Sequence, residues 1–235
     1  MKVIARIRTD FKEKFGIPRQ SGIVAEAVGR IVFEPEYRVP EALRGIDGYS
    51  HLWLIWGFSL AEREDWSPTV RPPRLGGNKR MGVFATRSPF RPNPVGLSSV
   101  RLLGIEDTAE GKTLIVGGVD LLDGTPIYDI KPYLAFTDSH PEATGGFSDG
   151  VRDYKLSVHI PEELKKLLGS DLATVEALLE QDPRPSYKED GDREYGMVFR
   201  DMEIFFTVLD GTLTDRCFRN LFGNAQCVKY RLVFG

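Results

Sequence analysis

The sequence predicts a mainly β fold with a small helix-containing unit toward its C-terminal end. Three observations lead there. Short apolar runs rich in Val, Ile, Phe and Trp, punctuated by Gly, Pro, Asp and Ser, recur through residues 1–159. No helical pattern alternates with them, which argues against a doubly wound βαβ sheet and for a barrel or sandwich. A leucine stripe at helical spacing begins only beyond residue 160, after which apolar runs return. The 235 residues suit a main domain with an appendage, divided here into 1–150 and 151–235.

Taken in order, 3–7 and 29–33 read as strands. The run HLWLIWGFS at 51–59 reads as a strand buried on both faces. Strands follow at 81–86, 98–103, 113–117, 119–122 and 155–159. Residues 136–152, rich in Asp, Ser, Gly and Thr, read as a linker. Between 161 and 181, Leu164, Leu167, Leu168, Leu172, Val175, Leu178 and Leu179 mark two helices broken at 169–171. Pro161 suits a helix start, Ser170 or Asp171 a cap, and Pro183 a stop. The stripe is a packing face. Strands resume at 196–200, 203–209 and 228–234, with Asp210-Gly211 as a hairpin turn.

Composition narrows the function classes. At 41% hydrophobic and 28% charged, the chain is an ordinary soluble globular protein. The longest apolar run, 52–60, is strand-sized and far short of the roughly 20 residues of a membrane span. The first residues, MKVIARIRTDFKEKFG, lack the apolar core of a signal peptide. Cys217 and Cys227 are expected as free thiols in a reducing cytoplasm. His51, His140 and His159 are scattered, without metal-ligand spacing, so no metal is expected.

Charge is strongly segregated. Between Ser67 and Arg101 lie six arginines (Arg71, Arg74, Arg80, Arg87, Arg91, Arg101), Lys79 and no acid. The whole chain carries −3, so these seven cations leave −10 for the remainder. The same stretch holds Pro72, Pro73, Pro89, Pro92 and Pro94, with Gly76, Gly77, Gly82 and Gly96. Cations on a backbone stiffened by proline predict preorganised recognition of an anion: a phosphate, a carboxylate or a nucleic acid. A second polar cluster, Tyr128, Asp129, Lys131 and Tyr133, follows the turn signal Asp123-Gly124. On an extended chain Asp129 and Lys131 point the same way. No G-x-G-x-x-G follows a strand, and there is neither a Walker motif nor a G-x-S-x-G elbow. The residues alone therefore describe a β-rich domain for an anionic ligand, with RNA a candidate through its phosphates and bases.

Longer motifs go further. PRQSG at 18–22, GYSHLWLIWGFS at 48–59, RPPRLGG at 71–77, RMGVFATRSPFRPNPVGLS at 80–98 and DLLDGTPIYDIKPYLAF at 120–136 resemble the TsaA-like, or TrmO, family of tRNA methyltransferases. QDPRPSY at 181–187 resembles that family's C-terminal appendage. The resemblance implies a non-Rossmann β-barrel with a small α+β appendage, S-adenosyl-L-methionine as cofactor, and a homodimer. It also implies the reaction: methylation of N6 of N6-threonylcarbamoyladenosine, next to the anticodon of threonine tRNA. For the cofactor it points to Pro18, Arg19, Gln20, Ser59, Leu60, Arg87, Leu97 and Ile127, Tyr128, Asp129, Ile130.

Methyl transfer from a sulfonium is an in-line displacement in which alignment supplies most of the acceleration. The ureido N6 has a delocalised lone pair, so a base that takes its proton helps. Asp129 is the candidate, with Lys131 and Tyr133 orienting it or hydrogen-bonding. Arg71, Arg74 and Arg91 are the candidates for the substrate's carboxylate and phosphates. Two rival readings are an RNA-binding module without methyltransferase activity, and a hydrolase using Asp129 and Lys131 on an anionic small molecule.

Overall fold

The computed structural model describes residues 1–59, 66–72, 79–184, 193–209 and 211–220. β1 (Ala5–Thr9), β2 (Val28–Phe33) and β3 (His51–Gly57) come first. A two-stranded ribbon of β4 (Thr69–Val70) and β5 (Met81–Gly82) intervenes. β6 (Val95–Thr108), β7 (Gly111–Gly117) and β8 (Pro126–Pro132) complete the main sheet. Its order is β1-β2-β7-β6-β3-β8, antiparallel throughout, and β8 returns to β1 at Ala5↔Ile127 and Arg6↔Pro126, closing the barrel.

Alternation explains the barrel. In β1 every second side chain is buried, Ala5, Ile7 and Thr9. Ile31, Leu52, Leu54, Val100, Leu114, Val116 and Ile127 join them from other strands, each at 0–1% exposure. Burying such side chains contributes about 1.5–3 kcal/mol apiece. A closed sheet also leaves no ladder edge exposed.

Beyond α1 (Ala135–Asp138), β9 (Ser157–His159) leads to α2 (Glu162–Leu168) and α3 (Leu172–Glu180). β10 (Tyr195–Phe199), β11 (Met202–Leu209) and β12 (Thr212–Asn220) then form a second sheet of order β10-β11-β12-β9. Leu164, Leu168, Val175, Leu178 and Leu179 are buried, so most of the leucine stripe is a packing face. The 210–211 hairpin is seen through its flanks: Leu209 pairs with Thr212, and Gly211 has φ +74.

The two sheets meet across the segment at 10–20. Phe11 packs edge-on to Phe199, with centroids 6.2 Å apart. Arg200 bridges Asp10 at 3.0 Å and Asp171 at 2.8 Å. The Met197 side chain lies where a Cβ on Gly16 would stand. A residue with a side chain at position 16 would push this segment off the second sheet.

Several expectations are corrected. The run 51–59 is not buried on both faces: Trp53 and Ile55 point to the half-exposed outer face, while Leu52 and Leu54 fill the barrel. A closed sheet has one interior, so alternation returns. Residues 119–122 form no strand, although Val119 and Leu121 are buried; their apolar side chains plug the core from a connecting segment. At 81–86 only two residues pair, and Val83–Ala85 is a 3-10 turn. The supposed linker at 136–152 contains most of α1 and a 3-10 turn at Gly146–Val151. Residues 126–132, absent from the expected strands and read only as a polar cluster after a turn, are the closing strand β8. The predicted strand at 228–234 lies outside the described residues.

Candidate active site

Four segments line a cavity of about 680 Å³ that is open to solvent on one side. They are the 14–21 segment, the end of β3 with Phe58 and Ser59, the 87–97 segment, and the connection at 120–125. Its walls are largely apolar, with Ile17, Pro18, Trp56, Phe58, Phe90 and Leu97. Size and lining fit a nucleoside-sized ligand.

The polar groups on its walls are unequal in sign. Lys14, Arg19, Arg87 and Arg91 line it, and Asp120 is the one acid among the described lining residues. Asp120 accepts a hydrogen bond from the Ser98 hydroxyl at 2.6 Å, and Ser98 in turn accepts from the Trp56 indole at 2.9 Å. Burial raises the Asp120 carboxyl above the ordinary carboxylate range; Ser98, the amides of Asp120 and Ser21, and the Arg87 charge oppose that rise. Ser21 is clamped on its other side, where its hydroxyl accepts from the Ser99 amide at 3.1 Å. This holds the 18–21 segment against β6. Gly96 lets Trp56 lie flat on the strand: any Cβ there would collide with the indole.

Arg19 reaches across to the second sheet's unit, donating to the carbonyls of Asp182 and Arg184 at 3.0 and 3.1 Å. Arg184 donates both Nε and a terminal nitrogen to the Asp182 carboxylate at 2.8 and 2.9 Å. Tyr154 adds a third bond at 2.9 Å. Burial tends to raise the Asp182 carboxyl, but the bonds from Arg184 and Tyr154 outweigh it and hold the group below its usual range. Gln20 accepts from Arg87, joining the segment to the arginine-rich stretch. Arg91 spans its own loop, donating to Thr86 and Ser88 carbonyls at 3.2 and 3.4 Å.

The cluster on and just after β8 lies next to β3, which borders the cavity. Asp129 pairs across the ladder with Ile55, and Lys131 with Trp53. On the other side of β3, Ile55 faces Leu97 and Trp53 faces Ser99, both lining the cavity. Lys131 and Asp129 form an ion pair at 3.2 Å, about half exposed. A pair so wetted stabilises little. The Tyr133 ring packs 5.4 Å from Trp53, whose indole donates to Asp138 at 2.9 Å. The Leu134 amide and the Trp53 indole hold the Asp138 carboxyl below its ordinary range.

Of the cofactor candidates, Pro18, Arg19, Gln20, Ser59, Arg87 and Leu97 line one cavity. Ile127, Tyr128, Asp129 and Ile130 are not among its lining residues: Ile127 is buried in the barrel, and the Tyr128 hydroxyl reaches Gly57, which does line it. Arg91 lines it too, whereas Arg71 is exposed beside the ribbon. Leu60 and Arg74 lie outside the described residues. Sequence reasoning missed Asp120, Ser98, Trp53 and Trp56 as site residues. The available signal was Asp120 itself, a lone carboxylate in the apolar run TLIVGGVDLL.

Comparison with known proteins places this arrangement. Residues 6–139 match the model described as tRNA-methyltransferase O N-terminal domain. Residues 153–214 match that of the TrmO C-terminal domain. The chain belongs to the TrmO family. It is 40% identical to the tRNA (adenine(37)-N6)-methyltransferase of Escherichia coli (strain K12), covering 88% of this chain and 92% of that protein. Its identity to the Eikenella corrodens protein of the same name is 47%, over 69% and 93% of the two. The crystal structure of TrmO from Pseudomonas aeruginosa matches with a TM-score of 0.72 and 34% identity, over 91% of this chain and 94% of that one. Among the described residues no group of three His, Cys, Asp or Glu is arranged to hold a metal.

Proposed function

We propose that this TrmO-family chain is an S-adenosyl-L-methionine-dependent tRNA (adenine-N6)-methyltransferase. Its substrate on this reading is N6-threonylcarbamoyladenosine next to the anticodon of threonine tRNA. The carrying observation is one cavity, apolar with a cationic wall and a single acid, that opens beside a basic segment and the Asp129, Lys131 and Tyr133 cluster. Its donor set suits S-adenosylmethionine: guanidinium groups for a carboxylate, Asp120 for a cationic group, and apolar walls for an adenine. When bound, the cofactor supplies an electrophilic methyl group on a sulfonium.

Pro18, Arg19, Gln20, Ser59, Leu60, Arg87 and Leu97 hold the cofactor on this reading, with β8 from Ile127 to Ile130 behind them. Asp129 takes the proton from the ureido N6, and Lys131, 3.2 Å away, holds the carboxylate in place. Tyr133, set against Trp53, orients the base that arrives. Arg71, Arg74 and Arg91 bind the substrate's carboxylate and phosphates. We assign 1–150 to the catalytic barrel and 151–235 to an appendage that braces the 18–21 segment through Arg19. The protein is proposed to act as a cytoplasmic homodimer.

The test is mass spectrometry of nucleosides from threonine tRNA incubated with the purified protein and S-adenosylmethionine. A methyl group on N6 of the threonylcarbamoyl nucleoside is the expected product. Tight tRNA binding with neither cofactor heat nor methylated nucleoside would leave an RNA-binding module instead.

A further inference from the structure

Two aromatic rings on the two arms of the β4–β5 ribbon stack on each other in solvent. Trp66 and Phe84 have centroids 6.0 Å apart with ring planes 29° from parallel. They remain 50% and 72% exposed. Single exposed apolar residues need no explanation. These two are held out as a pair by the ribbon beneath them. Val83 is buried at 1% and its amide donates to the Pro68 carbonyl at 2.9 Å, so the 3-10 turn anchors there and turns Phe84 outward. Thr86 closes that turn by donating to the Val83 carbonyl. On the other arm, Ser67 donates to the Thr69 carbonyl at 2.8 Å, fixing the approach to Trp66.

The surroundings say what the rings are for. Arg71, Lys79 and Arg80 are exposed on the same ribbon, and Arg80 is set by a bond to the Thr69 hydroxyl at 3.0 Å. Glu62, Glu64 and Asp65 precede Trp66 in the chain, but from 66 to 105 there is no acid. An aromatic face on the same ribbon as three exposed cations, one of them set by a hydrogen bond, matches unpaired nucleotides, whose bases stack on rings while their phosphates meet cationic groups. A duplex would engage only the cations, since its bases are already stacked.

We infer that the Trp66–Phe84 pair is a stacking platform for an unpaired base of the RNA, outside the methylation cavity. The inference rests on the reading of the chain as a tRNA methyltransferase. The platform grips a loop nucleotide flanking the one to be modified, and the ribbon's cations hold the adjoining phosphates.

The experiment measures binding of a threonine-tRNA anticodon stem–loop to wild type, Trp66→Ala, Phe84→Ala and Arg80→Gln, over a salt series. Each aromatic variant is expected to bind about 5- to 50-fold more weakly, with an unchanged salt slope. Arg80→Gln should flatten the slope by roughly one phosphate's share. Abasic substitutions along the loop provide the decisive arm: at one position the abasic RNA should bind wild type and Trp66→Ala equally. If affinity is unchanged in both aromatic variants, or the loss is equal for every abasic RNA, there is no platform. Loss of self-association in the aromatic variants, read by sedimentation, would assign the rings to a second copy and also overturn it. Wild-type methylation of tRNA is scored in parallel, so failure of the platform is distinguishable from failure of the enzymatic reading.

Discussion

The Ser98 hydroxyl donates to Asp120 at 2.6 Å while accepting from the Trp56 indole, so a half-buried carboxylate is wired to an aromatic wall of the cavity. Burial raises the Asp120 carboxyl above its ordinary range against the bonds that favour its charge. The linkage sign follows. With the folded-state value above the unfolded one, stability from this group is complete below the unfolded carboxylate range. It is lost as pH rises through the folded value. Asp120→Asn keeps an acceptor for Ser98 and removes the ionisation. At pH near 8 the variant should therefore melt at or above wild type, and that advantage should vanish toward about pH 4. Calorimetric titration with S-adenosylmethionine should show the opposite, an affinity about ten-fold lower. Equal melting temperatures across the range would remove the charge from this account.

The segment bearing Pro18 to Gln20 depends on a contact more than 160 residues away. Asp182 sits at φ +49 and is 6% exposed, with Arg184 gripping its carboxylate by two nitrogens. Removing one member of a buried pair costs about 3–5 kcal/mol because the other charge stays buried. Arg184→Met should lower unfolding free energy by an amount at the lower end of that range, since Tyr154 still donates to Asp182. Cofactor affinity should fall as well, because the backbone carbonyls that receive Arg19 are no longer pinned by the Arg184–Asp182 bonds. Urea titration and calorimetry read the two effects separately. Acid should narrow the stability gap: the lowered Asp182 carboxyl contributes stability above the unfolded value and loses it as pH falls through the folded one.

These networks explain what was legible in the sequence. Strands such as β1 and β2 follow from alternation, because exposed residues such as Arg6, Arg8 and Arg30 alternate with buried ones. β8 was hidden for the reason that it matters: Asp129, Lys131 and Pro132 break the apolar pattern where the strand borders the site. The basic stretch was visible as composition, and the Asp129–Lys131 pairing as a two-residue spacing. Asp120 with Ser98, and Arg19 with Asp182, are long-range meetings fixed by barrel closure and by packing of the second sheet. No local pattern encodes them.

The base assignment predicts a kinetic defect without a structural one. Asp129 is half-exposed and its ion pair with Lys131 stabilises little. Asp129→Asn should then fold normally and bind cofactor with unchanged heat. Its single-turnover methylation should slow by about 10²-fold. Should Asp129→Asn keep its rate while Tyr133→Phe or Lys131→Ala loses it, the proton goes elsewhere.

Affinity for tRNA should fall with added salt. If about three to five phosphates are contacted, the log–log slope is roughly −2 to −4 on the single-strand coefficient. S-adenosylmethionine binding, in a cavity with largely apolar walls, should respond far less. A flat dependence for tRNA would remove the 71–101 stretch from the RNA-contacting surface.

The arginines can read phosphates or the threonyl carboxylate. If they attract only phosphates, tRNA with unmodified adenosine should be methylated nearly as well as the threonylcarbamoyl form. If one of them pairs with the threonyl carboxylate, the unmodified tRNA leaves a cation without its partner in the site. A charge-assisted hydrogen bond is worth about 1.5–3 kcal/mol, or roughly 10- to 150-fold in rate. Arg91 and Arg74 are the two candidates, each flanked by proline. Arg91 lines the cavity, and its bonds to the Thr86 and Ser88 carbonyls hold the guanidinium in place before substrate arrives. Both tRNAs are to be compared with wild type, Arg91→Ala and Arg74→Ala. Selectivity should collapse in Arg91→Ala, because the threonylcarbamoyl substrate slows while the unmodified one barely changes. Because Arg91 also ties its own loop, Arg91→Lys is the control: it keeps a charge and should restore part of the selectivity. Uniform slowing of both substrates in every variant would leave phosphate contact as the whole role of these arginines.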